Sequence, residues 1–218
     1  MNERTERLRR ESLEARPALS AERALLLTGF YREAEGRHSA PVLRALAFRR
    51  LCERMSIWLG DGELIVGERG PAPKVVPTYP ELTCHSLEDL RVLDSRPKTA
   101  YTVPEEMLHA YREVVIPFWA GRTMRERIFA AMTPEWRAAY EAGVFTEFME
   151  QRAPGHTVLD GKIYRKGMNG FKKDIEAALA ALDFMADPAA YDRQEELKAM
   201  SASCDALIGF GRRHAAKA

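Results

Sequence analysis

Helix start and stop signals recur along most of this chain of 218 residues, and they restrict it to a helix-rich fold. Ser20 is a typical N-cap before a segment whose apolar residues follow helical spacing, and Gly36 fits the end of that segment. Pro41 opens a second amphipathic segment that extends to Leu59. We therefore expect a mainly α fold.

The same signals continue toward the C-terminus. Ser86 starts a pattern typical of a capping box, Pro104 stands at the start of another helix, and Thr133 precedes a proline at a first helical position. Two long helices are predicted over residues 162–184 and 188–218, where apolar and polar residues alternate with helical period.

Few residues favour a sheet. Asp61-Gly62 predicts a turn, and residues 63–67, ELIVG, form the one convincing strand-like run. Residues 67–85 contain four prolines and two glycines, which exclude a helix interior. We expect an ordered loop there.

Composition excludes several classes of protein. Thirty-three basic and 32 acidic residues give a net charge of +1, without the basic patch of a nucleic-acid or anionic-membrane binder. The charged N-terminus lacks the apolar core of a secretory signal, and no apolar run is long enough to span a membrane. Three scattered cysteines suggest reduced thiols, and we expect a cytoplasmic protein.

Standard metal and phosphate motifs are missing from the sequence. The five histidines do not pair with cysteine or carboxylate at zinc spacing, and Cys84-His85 are adjacent, which makes joint ligation of one metal awkward. The glycines between residues 60 and 70 lack the Lys-Ser/Thr of a P-loop. Trp58, Trp119 and Trp136 lie in apolar helical stretches, so we expect them to pack in the core.

One interruption of the helical pattern stands out. In FTEFMEQRAPGHTVLDGKIYRKG, residues 145–167, a helical run breaks at Pro154-Gly155, and His156 follows directly. A helix beginning there would favour an anion or a polar ligand group near its free N–H groups. The residues alone leave open whether His156 is a hydrogen-bonded structural residue or contacts a ligand.

Four stretches resemble the glycyl radical enzymes of the pyruvate formate-lyase-like superfamily: ELIVGERG, PTYPELTCHSLEDL, MTPEWRAAYEAGVFTEFMEQRAPGHTVLDGKIYRKG and DPAAYDRQEELKAMSASCDALI. The block FTEFMEQRAPGHTV is most similar to the hydroxyproline dehydratases within that superfamily. The resemblance implies a ten-stranded α/β barrel wrapped by helices, with residues 1–218 forming a helix-rich N-terminal lobe of it.

The resemblance also implies a chemistry and its partners. A radical SAM activating enzyme would install a glycyl radical near the C-terminus of the complete protein, and the radical would pass to a cysteine in the barrel. A hydroxyproline-like small molecule would then lose water from C4 to give 1-pyrroline-5-carboxylate. Phe148 would pack against the substrate ring and His156 would hydrogen-bond to it. A homodimer is expected for the full-length protein.

This sequence departs from the family in two places. The Gly-Cys-x-Glu-like loop with the catalytic cysteine and the Arg-Val-x-Gly-like loop with the radical glycine are not found in it. We therefore expect no catalytic residue, bound cofactor or metal in this chain, and no activity from it alone as a truncated or split protein. Two alternatives remain. The chain could be part of another glycyl radical eliminase, which acts on a diol, choline or isethionate or is formate acetyltransferase-like, or it could be a non-catalytic helical interaction module.

Overall fold

The computed structural model describes residues 2–145 and 159–218, and helices dominate both ranges. The α-helices are α1 (Glu3–Glu14), α2 (Glu22–Ala34), α3 (Ala40–Arg54), α4 (Leu87–Ser95), α5 (Glu105–Ala110), α6 (Ile116–Trp119), α7 (Met124–Ala131), α8 (Pro134–Glu141), α9 (Lys162–Arg165), α10 (Met168–Ala180) and α11 (Ala190–Lys217). The expectation of a helix-rich chain is confirmed.

The chain divides into two compact units. The described part of the first unit comprises residues 2–28 and 60–145, and that of the second comprises residues 29–59 and 159–218. Helix α2 crosses from one unit to the other at residue 28.

A short parallel pair of strands joins distant parts of the first unit. Strand β1 (Ala18–Ser20) pairs with β2 (Val75–Pro77), with Leu19 opposite Val76. Thr102 continues the ladder on the other side of β1, where its carbonyl accepts a hydrogen bond of 3.0 Å from the Leu19 amide. Backbone pairing of this kind satisfies polar groups that burial would otherwise leave unpaired.

A π-helical turn lies in the middle of the helix that Pro104 introduces. Residues Tyr111–Val115 form this turn between α5 and α6, and the Ile116 amide bonds to the Tyr111 carbonyl five residues earlier. Pro117 has no N–H to offer the carbonyl four residues before it, so regular α geometry loses a hydrogen bond at this point. The wider turn buries Tyr111 and Val115 completely.

The second unit is a helical assembly in which α11 packs on α3 and α10. Most of its buried apolar residues are small, which lets helix backbones approach closely. The buried apolar residues are Phe30, Ala34, Ala45, Ala47, Leu51, Cys52, Ile57, Ile175, Ala190, Ala199, Cys204 and Ala206. Arg213 of α11 donates hydrogen bonds to the carbonyls of Cys52 (2.5 Å) and Met55 (2.7 Å). These carbonyls end α3, and a cation at a helix C-terminus is favourable.

The prediction of a strand over residues 63–67 is wrong. This segment has no strand partner within the described residues, and Leu64 and Ile65 are more than four-fifths exposed. A β-prone sequence forms a ladder only where another strand lies beside it. The turn before it is confirmed: Gly62 has φ +76°, and its carbonyl accepts a 2.9 Å bond from Arg4.

Other differences concern helix ends and one tryptophan. The helix predicted over 162–184 is interrupted, because Lys166 adopts an extended conformation before Gly167, and α10 ends at Ala180. Helix α3 ends at Arg54 rather than at Leu59. Trp119 is buried as expected, but Trp136 is 55% exposed and is not a core residue.

Within the two described ranges, we find no helix that combines the length and the apolar character required to cross a bilayer.

Candidate functional site

The two residues predicted to contact substrate, Phe148 and His156, lie outside the described residues. The last described residue before them is Phe145, and the first after them is Leu159. We therefore describe the residues that precede and follow this segment in the chain, each within its own unit.

Four aromatic side chains on the N-terminal side form what we call the aromatic cluster: Phe129, Trp136, Tyr140 and Phe145. The Phe145 ring lies 5.8 Å from that of Trp136 and 6.0 Å from that of Tyr140. The Tyr140 ring meets the edge of Phe129 at 5.1 Å between centroids. The pairs with Phe129 and Trp136 are edge-to-face and the Tyr140–Phe145 pair is tilted. Aromatic pairs at such distances stabilise a defined arrangement, so the cluster holds the Phe145 ring.

Arg125 contacts two rings of the aromatic cluster, one by a hydrogen bond and one by a cation–π contact. Its Nη2 donates a 2.6 Å hydrogen bond to the Tyr140 hydroxyl, and its guanidinium carbon lies 4.9 Å from the centre of the Phe129 ring. A cation over an aromatic face is attracted by the ring quadrupole. The arginine therefore joins α7 to α8.

The first turn of α7 is held by a capping box. Thr123 Oγ1 accepts from the Glu126 amide, and the Glu126 carboxylate accepts from the Thr123 amide at 3.1 Å. Burial acts to raise the pKa of Glu126, but hydrogen bonds from the amides of Gly121 and Thr123 outweigh it and lower that pKa. The carboxylate stays ionised at neutral pH and keeps the box closed.

Two backbone hydrogen bonds attach this turn to the preceding loop. The Met124 amide donates to the Glu81 carbonyl (2.9 Å), and the Arg125 amide donates to the Leu82 carbonyl (3.1 Å). The Glu81 side chain is itself paired with Arg23 of α2, which donates to Glu81 Oε2 at 3.0 Å. The Arg23 guanidinium also stacks 4.0 Å above the Tyr79 ring. A continuous set of contacts thus connects α2 to the aromatic cluster.

On the C-terminal side, the described chain resumes with two residues of unusual backbone geometry. Leu159 and Asp160 have φ of 69° and 50°, which L-residues adopt rarely. The short helix α9 follows, and its Tyr164 is 83% exposed.

A cavity of about 500 Å³ lies in the first unit beside the small sheet. It is lined by Leu19, Val76, Thr83, His85, Leu93 and Tyr101. Burial lowers the pKa of His85, so its imidazole is neutral at pH 7. Burial also raises the pKa of the neighbouring Cys84 thiol to about 11, with the Glu126 and Asp89 charges adding to the rise. The cavity therefore presents uncharged groups.

The second unit carries a larger groove of about 980 Å³ between α3, α10 and α11. Apolar residues dominate its lining, among them Phe48, Phe171, Ile175, Met200 and Leu207. Such a surface is suited to packing rather than to acid–base chemistry.

The three cysteines lack the sequence context that the resemblance assigns to the radical-carrying cysteine. Cys52 and Cys204 are buried on α3 and α11, and burial raises the pKa of both thiols. Cys84 lies in a loop, and burial strongly raises the pKa of its thiol. None has a glutamate two positions later. In the ranges 2–145 and 159–218, no group of three or more His, Cys, Asp or Glu side chains could hold a metal ion.

Sequence reasoning missed the pair of Arg125 and Tyr140. These residues are fifteen positions apart on two different helices, and no local spacing signal marks such a contact. The aromatic content of residues 129–145 was the one available hint.

Comparison with known proteins gives consistent matches. Residues 1–218 match the family model described as pyruvate formate lyase-like. The trans-4-hydroxy-L-proline dehydratase of Clostridioides difficile is 52% identical over 216 residues, which are 99% of this chain and 27% of that protein. Its crystal structure with trans-4-hydroxy-L-proline bound superposes with a TM-score of 0.92, over all of this chain and 28% of that one.

Two other similar proteins are more distant. The B12-independent glycerol dehydratase of Clostridium butyricum is 31% identical, with a TM-score of 0.90 over all of this chain and 28% of that one. The isethionate sulfite-lyase of Desulfovibrio desulfuricans is 29% identical over 92% of this chain and 25% of that protein. The chain spans roughly a quarter of the length of each of these relatives. Because the family model covers every residue, this chain belongs to the pyruvate formate lyase-like family.

Proposed function

We propose that this chain serves as the N-terminal part of a glycyl radical hydro-lyase that eliminates water from trans-4-hydroxy-L-proline to give 1-pyrroline-5-carboxylate. The observation that carries the proposal is the 52% identity with the Clostridioides difficile dehydratase across 99% of this chain. In this proposal residues 1–218 act as one N-terminal lobe beside a barrel.

Phe148 and His156 are the residues that we assign to substrate binding. The Phe148 ring would pack against the pyrrolidine ring of the substrate, and the His156 imidazole would form one hydrogen bond with a polar group of it. Both roles concern orientation, which is a large part of catalysis in a closed site. The neighbouring aromatic cluster supports the assignment, since it gives the segment a defined starting point at Phe145.

The radical itself belongs to other residues in this proposal. A glycyl radical, installed by a radical SAM activating enzyme, supplies the hydrogen-atom chemistry in the family. The three cysteines of this chain lack the sequence context of the family's reacting cysteine, and we assign them no part in the radical chemistry. The full-length protein is proposed to be a homodimer in the cytoplasm, inactive without the reacting cysteine and glycine.

Another eliminase of the same superfamily is the second candidate. The glycerol dehydratase match, with a TM-score of 0.90, favours it over a non-catalytic module. The lower identity, 31% against 52%, favours hydroxyproline over a diol.

A chimera tests the proposal. These 218 residues replace the aligned segment of the Clostridioides difficile dehydratase, and the product is activated anaerobically by that enzyme's activase. We call this protein the chimera. A matched control carries the aligned segment of the isethionate sulfite-lyase instead. We expect the chimera to dehydrate hydroxyproline and the control to do so far more slowly. A chimera that carries the glycyl radical, seen by electron paramagnetic resonance, but does not turn over hydroxyproline would contradict the proposal.

A further inference from the structure

We propose that the cavity beside the small sheet of the first unit binds an uncharged organic molecule, which has an apolar body and a group that hydrogen-bonds to His85. The cavity has a volume of about 500 Å³, and small-molecule sites are typically about 300–1,000 Å³. Every residue that lines it belongs to the first unit and lies within the described ranges. The inference does not rest on the proposed function, because neither Phe148 nor His156 enters it.

The first observation is the lack of charge in the cavity. None of the described residues that line it is Asp, Glu, Lys or Arg, and apolar side chains such as Leu19, Val76 and Leu93 form much of its wall. Burial lowers the pKa of His85, so this imidazole is also uncharged at pH 7. A charge buried without a partner is costly. The cavity therefore favours an uncharged ligand over an ion or a zwitterion such as trans-4-hydroxy-L-proline.

The second observation concerns two polar side chains of the lining. Within residues 2–145 and 159–218, the His85 ring forms no hydrogen bond or ion pair. In the same ranges Oγ1 of Thr83 is buried and has no hydrogen-bond partner. A neutral imidazole has one nitrogen that accepts a hydrogen bond, and a polar group removed from water without a partner is unfavourable. An N–H or O–H group of a ligand would satisfy that nitrogen of His85.

Backbone hydrogen bonds hold the walls of the cavity in place. The Leu82 amide donates to the Tyr79 carbonyl at 3.0 Å, which closes a turn between two lining residues. The Tyr101 amide donates to the Leu93 carbonyl at 2.9 Å, which joins the wall formed by α4 to the chain that follows it. A site that is formed before binding loses little conformational entropy when the ligand enters. Its apolar walls also give water few partners, so an apolar ligand body gains affinity by displacing that water.

Two fluorescent probes with the same skeleton test the charge preference in the chimera. N-phenyl-1-naphthylamine is uncharged, has one N–H group, and fluoresces more strongly in apolar surroundings. The compound 8-anilinonaphthalene-1-sulfonate adds one negative charge to that skeleton. We expect the uncharged probe to bind the cavity and the anionic probe to bind it at least about tenfold more weakly. Added trans-4-hydroxy-L-proline should not displace the uncharged probe.

A cavity-filling variant assigns the binding to this site. In Leu93→Trp the indole occupies the cavity, and we expect Kd for the uncharged probe to rise at least about tenfold. Met200→Trp is the matched control, because it places the same indole in the groove of the second unit. It should leave this Kd unchanged. Circular dichroism and the melting temperature verify that each variant is folded.

The role of His85 is tested by removing its nitrogens. His85→Phe keeps an aromatic ring in the wall, and we expect Kd for N-phenyl-1-naphthylamine to rise about two- to tenfold. The isosteric probe 1-benzylnaphthalene has a methylene in place of the N–H, and its Kd should not change in this variant. Where Leu93→Trp yields no folded protein, the comparison of these two probes in His85→Phe assigns the site instead.

Three results would overturn the proposal. One is that the uncharged probe does not bind the chimera, or binds with a Kd that neither Leu93→Trp nor His85→Phe changes. Another is that the anionic probe binds the cavity as tightly as the uncharged one. The third is that His85→Phe affects both isosteric probes equally, since the ligand would then form no hydrogen bond with His85.

Discussion

Tyr111 donates a 2.6 Å hydrogen bond from its hydroxyl to Oγ1 of Thr78, and both residues are almost fully buried. The tyrosine begins the π-helical turn, whereas the threonine follows β2, so the bond joins two parts of the first unit that are distant in sequence. Burial raises the pKa of Tyr111 above its ordinary value, which keeps the hydroxyl protonated as a donor. A similar bond, 2.8 Å from Trp119 Nε1 to Thr28 Oγ1, ties the same helix to α2.

Removing the Tyr111 hydroxyl should destabilise this unit. Tyr111→Phe leaves Thr78 Oγ1 buried without its donor, which costs about 1–3 kcal/mol in the free energy of local unfolding. Hydrogen exchange at the amides of residues 111–119 in the chimera measures this change, with Tyr164→Phe as control. Thr78→Val added to Tyr111→Phe should recover part of the loss. Equal protection in the wild type and Tyr111→Phe would show that the bond does not hold the unit together.

Cys84 should react slowly with alkylating reagents. Its thiol pKa of about 11, against an ordinary 9.0, lowers the thiolate fraction at about pH 8 by about a hundredfold, and the thiolate is the reactive form. Iodoacetamide labelling of the chimera, followed by mass spectrometry of the peptide with Cys84, gives the rate. The same protein in urea is the control and should label at an ordinary rate. Equal rates in the folded and unfolded protein would contradict the burial of this thiol.

His85 should make stability depend on pH in a defined direction. Burial holds its pKa below 6.5, so as pH falls through about 6.5 the unfolded chain takes up a proton that the folded chain does not. The contribution of neutral His85 to the free energy of unfolding is therefore fully present above that pH, and it is lost as pH falls toward the folded-state pKa of His85. In His85→Gln this part of the pH dependence should disappear, whereas in His109→Gln, an exposed position, it should persist. Hydrogen exchange of residues 75–101 at several pH values tests it, and identical profiles for His85→Gln and wild type would refute it.

The parts of the fold that the sequence predicts are those decided by neighbours in the chain. Ser86 and Thr133 accept hydrogen bonds from amides three residues later, so their capping roles are visible in a few letters. The strand prediction for residues 63–67 was wrong for the converse reason. Whether β-prone residues form a ladder depends on a partner strand, and the observed pairing of Leu19 with Val76 joins segments that no local pattern connects.

In the candidate site, too, some features could be predicted from the sequence and others could not. Phe148 and His156 came from a resemblance to a family, and their roles remain predictions. The break at Lys166-Gly167 was not predicted, although glycine is a poor helix former. The contact of Arg125 with Tyr140 depends on how α7 and α8 pack, which requires the folded structure.

The most direct test of the account is kcat/KM for hydroxyproline in the chimera with His156→Ala. If His156 forms one hydrogen bond with the substrate in a closed site, its loss costs about 1–3 kcal/mol. That cost corresponds to a fall in kcat/KM of about ten- to a hundredfold. His109→Ala is the matched control and should leave kcat/KM unchanged. The melting temperature and the glycyl radical content of each variant are measured on the same preparation. The account predicts a reduced kcat/KM with an unchanged melting temperature. A lower melting temperature with normal kcat/KM would contradict it, and would make His156 a structural residue at a helix start.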